Sequence, residues 1–291
     1  MKLSPSNMPP VTRRRVLRMI AGSFVATTAG AGVNAAWIEP ESLTITRRDI
    51  PCPNLPPGLD GLRVCLVSDL HYREPDEDDP LLERVVDAIH RETPDLVLMP
   101  GDFIDSDEKM MAPLLRRISG LQAKHGVFAS LGNHDGWNAD SGRARRLFEK
   151  AGFGMLINDH SRLSIRGESL YVAGTDFVWD GNPDPVRMLR GVPADAPLVT
   201  LVHEPDYFDT VNVHRAADLQ VSGHTHGGQC RVPLVGIAPV KPRWGRKYVE
   251  GHFRKDGANL FVTRGVGTTG LRVRFACPPE LAVLTLRGRS A

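Results

Sequence analysis

Short apolar runs separated by polar clusters dominate the chain from residue 62 onward. The runs at 62–68, 95–99 and 127–131 are rich in Val and Leu and too short for helices, so they predict buried strands. Between the first two, Asp79-Pro80 supplies a capping carboxylate and then a proline at the first helical position. Leu81, Leu82, Val85, Val86 and Ile89 follow at helical spacing. A second helix is predicted over 111–121. Further strands at 170–173, 198–202, 219–222, 260–263 and 281–286 make the second half strand-rich. A β-α-β-α-β half followed by strands predicts an α/β class, a layered α/β or four-layer α/β/β/α domain. The domain is placed at 61–291, behind a linker or edge segment at 37–60 that contains the proline-rich stretch 51–57. There is no internal repeat and no low-complexity tract.

The polar clusters fall where the apolar runs stop. Asp69-x-His71, Gly101-Asp102-x-x-Asp105 and Gly132-Asn133-His134-Asp135 end the first three predicted strands. His203-Glu204 and Gly223-His224-Thr225-His226 end two later ones. Ligands of open α/β sheets gather at strand carboxyl ends, so clusters far apart in the chain can converge there. Asp69 and His71, like His224 and His226, are two residues apart, which puts both side chains on one face of extended backbone. Imidazole, carboxylate and amide oxygen together suit first-row metals better than Ca²⁺, and the absence of cysteine from the set argues against a structural zinc. The candidates are too many for one ion; two ions sharing a bridging carboxylate use them all. Each cluster alone is an ordinary turn or a chance pairing, Asn133-His134-Asp135-Gly136 included. Five in fixed order at strand ends are not.

Charge and cysteine content narrow the partners. The formal charge of +2 over 291 residues is uneven: residues 1–36 hold Lys2, Arg13, Arg14, Arg15 and Arg18 and no acid, which leaves the remainder at −3. A slightly acidic body gives no electrostatic reason to bind nucleic acid. Cys52, Cys65, Cys230 and Cys277 are widely spaced, without C-x-x-C pairing, so a disulfide framework is not predicted. Arg13-Arg14-Arg15-Val16-Leu17 precedes a weakly apolar stretch to about Ala36, rich in Ala, Gly and Thr. That order is similar to a twin-arginine signal peptide over 1–36. It implies the twin-arginine translocase as a partner and a location outside the cytoplasm, in the periplasm or on the outer face of the membrane. A basic amphipathic helix and a membrane anchor are the alternatives.

The set D-x-H, G-D-x-x-D, G-N-H-D, H and G-H-T-H resembles the calcineurin-like metallophosphoesterase superfamily, from about Leu62 to the C-terminus. The resemblance implies a two-sheet sandwich flanked by helices and two divalent ions (Mn, Fe or Zn). It implies Asp69, His71 and His226 on the first metal, Asn133, His203 and His224 on the second, and Asp102 between them. The reaction implied is hydrolysis of a phosphate ester by hydroxide activated between the metals. His134 resembles the family's non-ligand histidine, which contacts the phosphate or protonates the leaving group, with Asp135 orienting it and Asp105 behind the ligands. Gly223-His-Thr-His-Gly-Gly-Gln229, Tyr248-x-x-Gly251 and Val262-x-Arg264-Gly265-Val266-Gly267-Thr268 are similar to an exported phosphodiesterase branch related to UDP-2,3-diacylglucosamine pyrophosphatases. Arg264 is read as a phosphate contact, with a buried structural arginine as the alternative. Residues 232–240 are apolar and are followed by Lys241, Arg243, Arg246 and Lys247. They predict peripheral membrane contact over 232–247 and a phospholipid or lipid-linked substrate; a hairpin with solvated charges is the plainer reading. The competing functions are a phosphomonoesterase, a nuclease and a non-catalytic metal-binding envelope protein.

Overall fold

The computed structural model describes residues 30–74 and 79–288. The paired arginines and most of the 1–36 stretch lie outside the described residues. The chain folds into two six-stranded sheets packed face to face, with helices on both outer faces. The first sheet has the order β1 (Thr44–Pro51), β12 (Glu280–Arg287), β2 (Arg63–Leu66), β3 (Leu96–Pro100), β4 (Val127–Ser130), β5 (Gly154–Met155). The second runs β10 (Gly251–Lys255), β11 (Ala258–Val262), β9 (Leu219–Ser222), β8 (Leu198–Leu201), β7 (Glu168–Gly174), β6 (Asp159–Ile165). β2 through β5 are parallel, as are β11, β9, β8 and β7, whereas β12 enters antiparallel to β2, and β6 and β10 pair antiparallel at the edges.

Alternation along the strands explains the layers. Val64, Leu66, Leu96 and Leu98 point between the sheets, against Val172, Val199, Leu201 and Val221. Their neighbours Cys65, Val67, Val97 and Met99 point outward, under helices α1 (Pro80–Glu92), α2 (Met111–Arg117) and α4 (Ser141–Lys150). Short α3 (Asn133–Asn138) precedes α4. On the far face, Tyr171, Ala173 and Leu198 pack against Met188 of α5 (Pro185–Met188) and Val211 of α6 (Phe208–His214). Strands buried on both faces have to be apolar throughout, which is why they read as unbroken runs.

Helix α1 starts as predicted: the Asp79 carboxylate accepts the Leu82 N–H at 2.9 Å, and Pro80 takes the first helical position. Helix α2 is shorter than the predicted 111–121. Ile118 leaves helical geometry, and the Ser119 hydroxyl bonds the Arg116 carbonyl at 2.7 Å just before Gly120. The segment at 37–60 is more than a linker. Eight of its residues form edge strand β1, in parallel register with β12 from Thr44↔Glu280 to Pro51↔Arg287.

Candidate metal centre

Because β2, β3 and β4 run parallel in one sheet and β8, β9 and β11 in the other, their carboxyl ends open at one end of the sandwich. Asp69 and His71 follow β2, Asp102 follows β3, and Asn133 and His134 follow β4. His203 follows β8, and His224 and His226 follow β9. All seven predicted ligands are buried.

Two triads form. Ligand-capable atoms of Asp69, His71 and His226 lie within 4.8 Å of one another, and so do those of Asp102, His203 and His224. Asp102 lies between them: its Oδ2 is 3.1 Å from His203 Nε2 and 3.4 Å from His71 Nε2. His71 Nε2 and His226 Nε2 face each other at 3.0 Å. The outer nitrogens are held from behind. His203 Nδ1 meets the Pro100 carbonyl at 2.5 Å, His224 Nε2 meets the Arg243 carbonyl at 2.7 Å, and His71 Nδ1 lies 3.2 Å from Asp105 Oδ1. Such contacts fix which nitrogen faces the centre.

Backbone geometry is costly here. Asp69, His71, Asp102, His224 and His226 all have φ between 45° and 71°. Left-handed backbone at a non-glycine residue costs roughly 1–3 kcal/mol, and its clustering in a ligand set is the signature of imposed geometry. Gly132 and Gly223 make the packing feasible. A Cβ on Gly132 would lie 2.2 Å from Asp102 Oδ1, and one on Gly223 would lie 2.2 Å from Asp69 Oδ2.

The donor set fits cations. Asp69 Oδ2 and Asn133 Oδ1 are buried acceptors with no hydrogen-bond donor among the described residues. Burial pushes the Asp69 carboxyl up against the pull of His203. Burial also opposes charge on Asp102 and His203, but each overrides it in the other, holding Asp102 well below and His203 well above its ordinary value. Burial, aided by the His203 charge, drives His224 down to about 3, and burial with His71 drives His226 well below the usual range. Neutral imidazole is the form that ligates metal.

The remaining predicted residues are placed as follows. The His134 ring sits beside His71, with centroids 4.6 Å apart, and its Nδ1 meets the Asp105 carbonyl oxygen at 2.7 Å. Asp135 does not orient that ring. Its oxygens accept the N–H groups of Phe103, Ile104 and Gly132 at 2.9, 3.1 and 3.0 Å, so it ties β3's exit to the start of α3. Burial and the nearby Asp102 charge push Asp135 up to about 7. Arg264 is not turned to a substrate either: its guanidinium pairs with Glu280 at 3.3 Å and donates to the Thr44 hydroxyl at 2.8 Å. The plainer structural reading of that arginine is the one its partners support.

Three features escaped sequence reasoning. Trp137 and Trp179 rim the centre, 5.4 Å from the His134 ring and 6.1 Å from the His224 ring, with the Trp137 indole N–H bonded to the Trp179 carbonyl at 3.1 Å. Buried Glu204 accepts the N–H groups of Val178 and Trp179, both at 2.9 Å, and so holds the loop carrying Trp179 beside His203. Fully buried Arg274 donates to the carbonyls of Arg264, Gly265 and Gly267, which flank Asp69. Glu204 was legible only as a member of the His203-Glu204 cluster, not as a brace, and Trp137 only through its position three residues after His134; no local pattern marks Trp179 or Arg274.

Residues 62–228 match the model of the calcineurin-like phosphoesterase family. The chain is 33% identical over 291 residues to an uncharacterized metallophosphoesterase, YkuE, of Bacillus subtilis (strain 168), covering 96% of this chain and 99% of that one. It is 30% identical over 285 residues to the phosphodiesterase YaeI of Escherichia coli (strain K12), covering 95% and 99%. A transmembrane protein with metallophosphoesterase domain from Danio rerio is 28% identical, covering 94% of this chain and 63% of its own. Among solved structures, the protein TT1561 of Thermus thermophilus aligns with a TM-score of 0.46 at 13% identity, over 71% of this chain and 90% of that one.

Proposed function

The chain belongs to the calcineurin-like phosphoesterase family, and from that premise we propose that it hydrolyses a phosphodiester, on a lipid or other component of the cell envelope, with two divalent ions at the strand-end centre. That the chain is a metallophosphoesterase is established by the family; the diester, the envelope substrate and the ion count are the proposal. The observation that carries it is Asp102, one carboxylate oxygen within 3.4 Å of an imidazole from each triad. Preference for a diester is supported by the phosphodiesterase YaeI, which aligns along nearly its whole length.

Asp69, His71 and His226 are assigned to one ion, Asn133, His203 and His224 to the other, and Asp102 to both. Mn, Fe or Zn is the expected metal. When bound, such a pair neutralises the phosphoryl oxygens and lowers the pKa of water. The chain's own residues do the rest. Asp105 fixes the His71 ring through Nδ1 and, through its carbonyl, the His134 ring. With Nδ1–H donated to that carbonyl, a protonated His134 has Nε2–H left to give to phosphate or to the departing oxygen. Trp137 stands beside the His134 ring and Trp179 beside the His224 ring, at the rim of the centre. Export by the twin-arginine translocase and membrane contact through 232–247 complete the reading, supported by Arg13-Arg14 and by the exposed apolar side chains of that segment.

The test is hydrolysis of bis-p-nitrophenyl phosphate beside p-nitrophenyl phosphate by metal-stripped protein with Mn²⁺ restored. Mn²⁺-dependent diester cleavage that disappears in Asp102→Asn is expected. Preference for the monoester would overturn the diester assignment.

A further inference from the structure

Twelve large hydrophobic side chains are exposed among the described residues, and nine come from three segments, 33–38, 232–240 and residue 271. Backbone hydrogen bonds bring these segments together. The Arg274 N–H donates to the Ala35 carbonyl at 2.9 Å, and the Arg231 N–H donates to the Phe275 carbonyl at 2.8 Å. Gln229, three residues after His226, donates from its side chain to the carbonyls of Thr269 and Leu271 at 3.1 and 3.3 Å. The apolar surface and the metal centre therefore share the turn that leaves β9.

The surface is convex. Val232 donates to the Ile237 carbonyl and Gly236 to the Val232 carbonyl, both at 2.9 Å, closing a tight loop whose tip is Leu234. Leu234 is 108% exposed, more than in an open peptide, with φ 68°, so the loop holds an aliphatic side chain clear of the protein. A groove receives another protein's side chain; a protruding aliphatic tip enters a fluid apolar phase. Cations neighbour it, several of them paired with acids: Lys247 with Asp209 at 2.5 Å, Arg243 with Asp180 at 3.9 Å, and Arg272 with Glu41. Residues 232–247 hold Lys241, Arg243, Arg246 and Lys247 and no acid, and Arg272 adjoins Leu271. An apolar tip beside cations, of which Lys241 and Arg246 have no acidic partner among the described residues, is the composition that inserts at an anionic bilayer surface. The described chain enters at Gly30 and joins the protein on this same face, through the Ala35 carbonyl.

We propose that Trp37, Ile38, Leu234, Val235, Ile237 and Leu271 form one composite membrane-docking face that seats the metal centre against an anionic phospholipid bilayer. This rests on the envelope-substrate reading above and extends it: the membrane contact is not a single loop but three segments, and the substrate approaches from the lipid interface through the side bounded by Gln229 and Thr268.

The full, metal-loaded chain is examined by hydrogen–deuterium exchange with and without vesicles of phosphatidylglycerol and phosphatidylethanolamine, alongside co-sedimentation. Slower exchange at 232–240 and 269–272 on adding vesicles is expected. So is a tenfold or greater loss of vesicle binding in Leu234→Ser/Val235→Ser/Ile237→Ser with an unchanged melting temperature, and weaker binding to phosphatidylcholine vesicles. Binding with protection confined to residues before 30 would overturn the proposal, since the N-terminal arm alone would then attach the protein. Protection of the same loops by raising protein concentration without lipid would overturn it in favour of a second copy. Turnover of bis-p-nitrophenyl phosphate, measured on the same sample, separates the two readings: turnover without loop protection removes the docking face and leaves the hydrolase, whereas protection without turnover does the reverse.

Discussion

The His134 ring is fixed by a backbone carbonyl, not by an assigned ligand side chain. That carbonyl belongs to Asp105, while the backbone N–H of His134, 2.9 Å from Asp102 Oδ1, braces the Asp102 carboxylate. Replacing the ring leaves that brace in place. His134→Ala is therefore expected to keep two metals per chain and to lose about 10²–10⁴ in kcat on a diester, the range of a lost general acid; metal analysis beside steady-state kinetics decides, and lost metal would refute the assigned role. Asp95 bears on stability. Its buried carboxylate accepts the Arg63 N–H at 2.8 Å and pairs with Lys124 at 3.1 Å. Burial pulls its pKa up, but these partners outweigh burial and hold it below the ordinary value. A depressed folded-state pKa stabilises the protein above the unfolded value, about 3.9, and the benefit fades as pH falls through the folded one. Asp95→Asn is expected to lose about 1–3 kcal/mol at pH 7, with the gap to wild type narrowing below about pH 4 in denaturant titrations.

At the scale of elements, legibility follows burial. β2, β3, β4, β8 and β9 are covered on both faces and stood out as apolar runs. The edges did not: β1 carries Arg47 and Arg48, β6 begins Asp-His-Ser-Arg, and β10 is Gly-His-Phe-Arg-Lys, because an edge with a wet face needs no continuous hydrophobicity. Helix α3 has the composition of a turn. It is helical because the Asp135 carboxylate reaches back to the Gly132 N–H and because Gly136 lies against Phe177, where a Cβ would come within 2.0 Å of the ring. The ligand candidates were legible because glycine and polar residues interrupt the apolar runs at strand ends. The braces behind them were not, since Asp105 acts partly through its main chain and Arg274 through contacts made only in the fold. Arg274 also yields a prediction. Its guanidinium spans the carbonyls of residues 264, 265 and 267, while Val266 and Gly267 donate to Ser68 and Asp69 at 3.0 and 2.7 Å. Arg274→Met strands those buried acceptors and frees the segment packed on Asp69. A loss on the order of 3 kcal/mol and weaker binding of one ion are expected from unfolding and metal titrations; a variant unchanged in both would show that Arg274 braces nothing.

At the scale of the molecule, the assigned ligands divide between the sheets. Asp69, His71, Asp102 and Asn133 leave strands of the first; His203, His224 and His226 leave strands of the second. Each assigned ion thus draws on both, and the proposed pair, when bound, would act as a clasp across the open end of the sandwich. Without cations that end combines five left-handed residues with buried acceptors that have no donor among the described residues, each unfavourable by itself. A ligand bound only by the folded state stabilises it by about 4 kcal/mol at a thousandfold excess over its dissociation constant. Two such sites in a domain of this size correspond to a rise of about 15–30 °C in melting temperature. Chelation should therefore lower the melting temperature by that order and speed hydrogen exchange at residues 67–71 and 202–204 together, since releasing the clasp frees both sheets. His226→Ala, which removes the second sheet's only assigned contribution to the first ion, should give about half the shift. Coincident melting of stripped and loaded protein, or faster exchange in one sheet alone, would mean that the cations do not bridge the sheets.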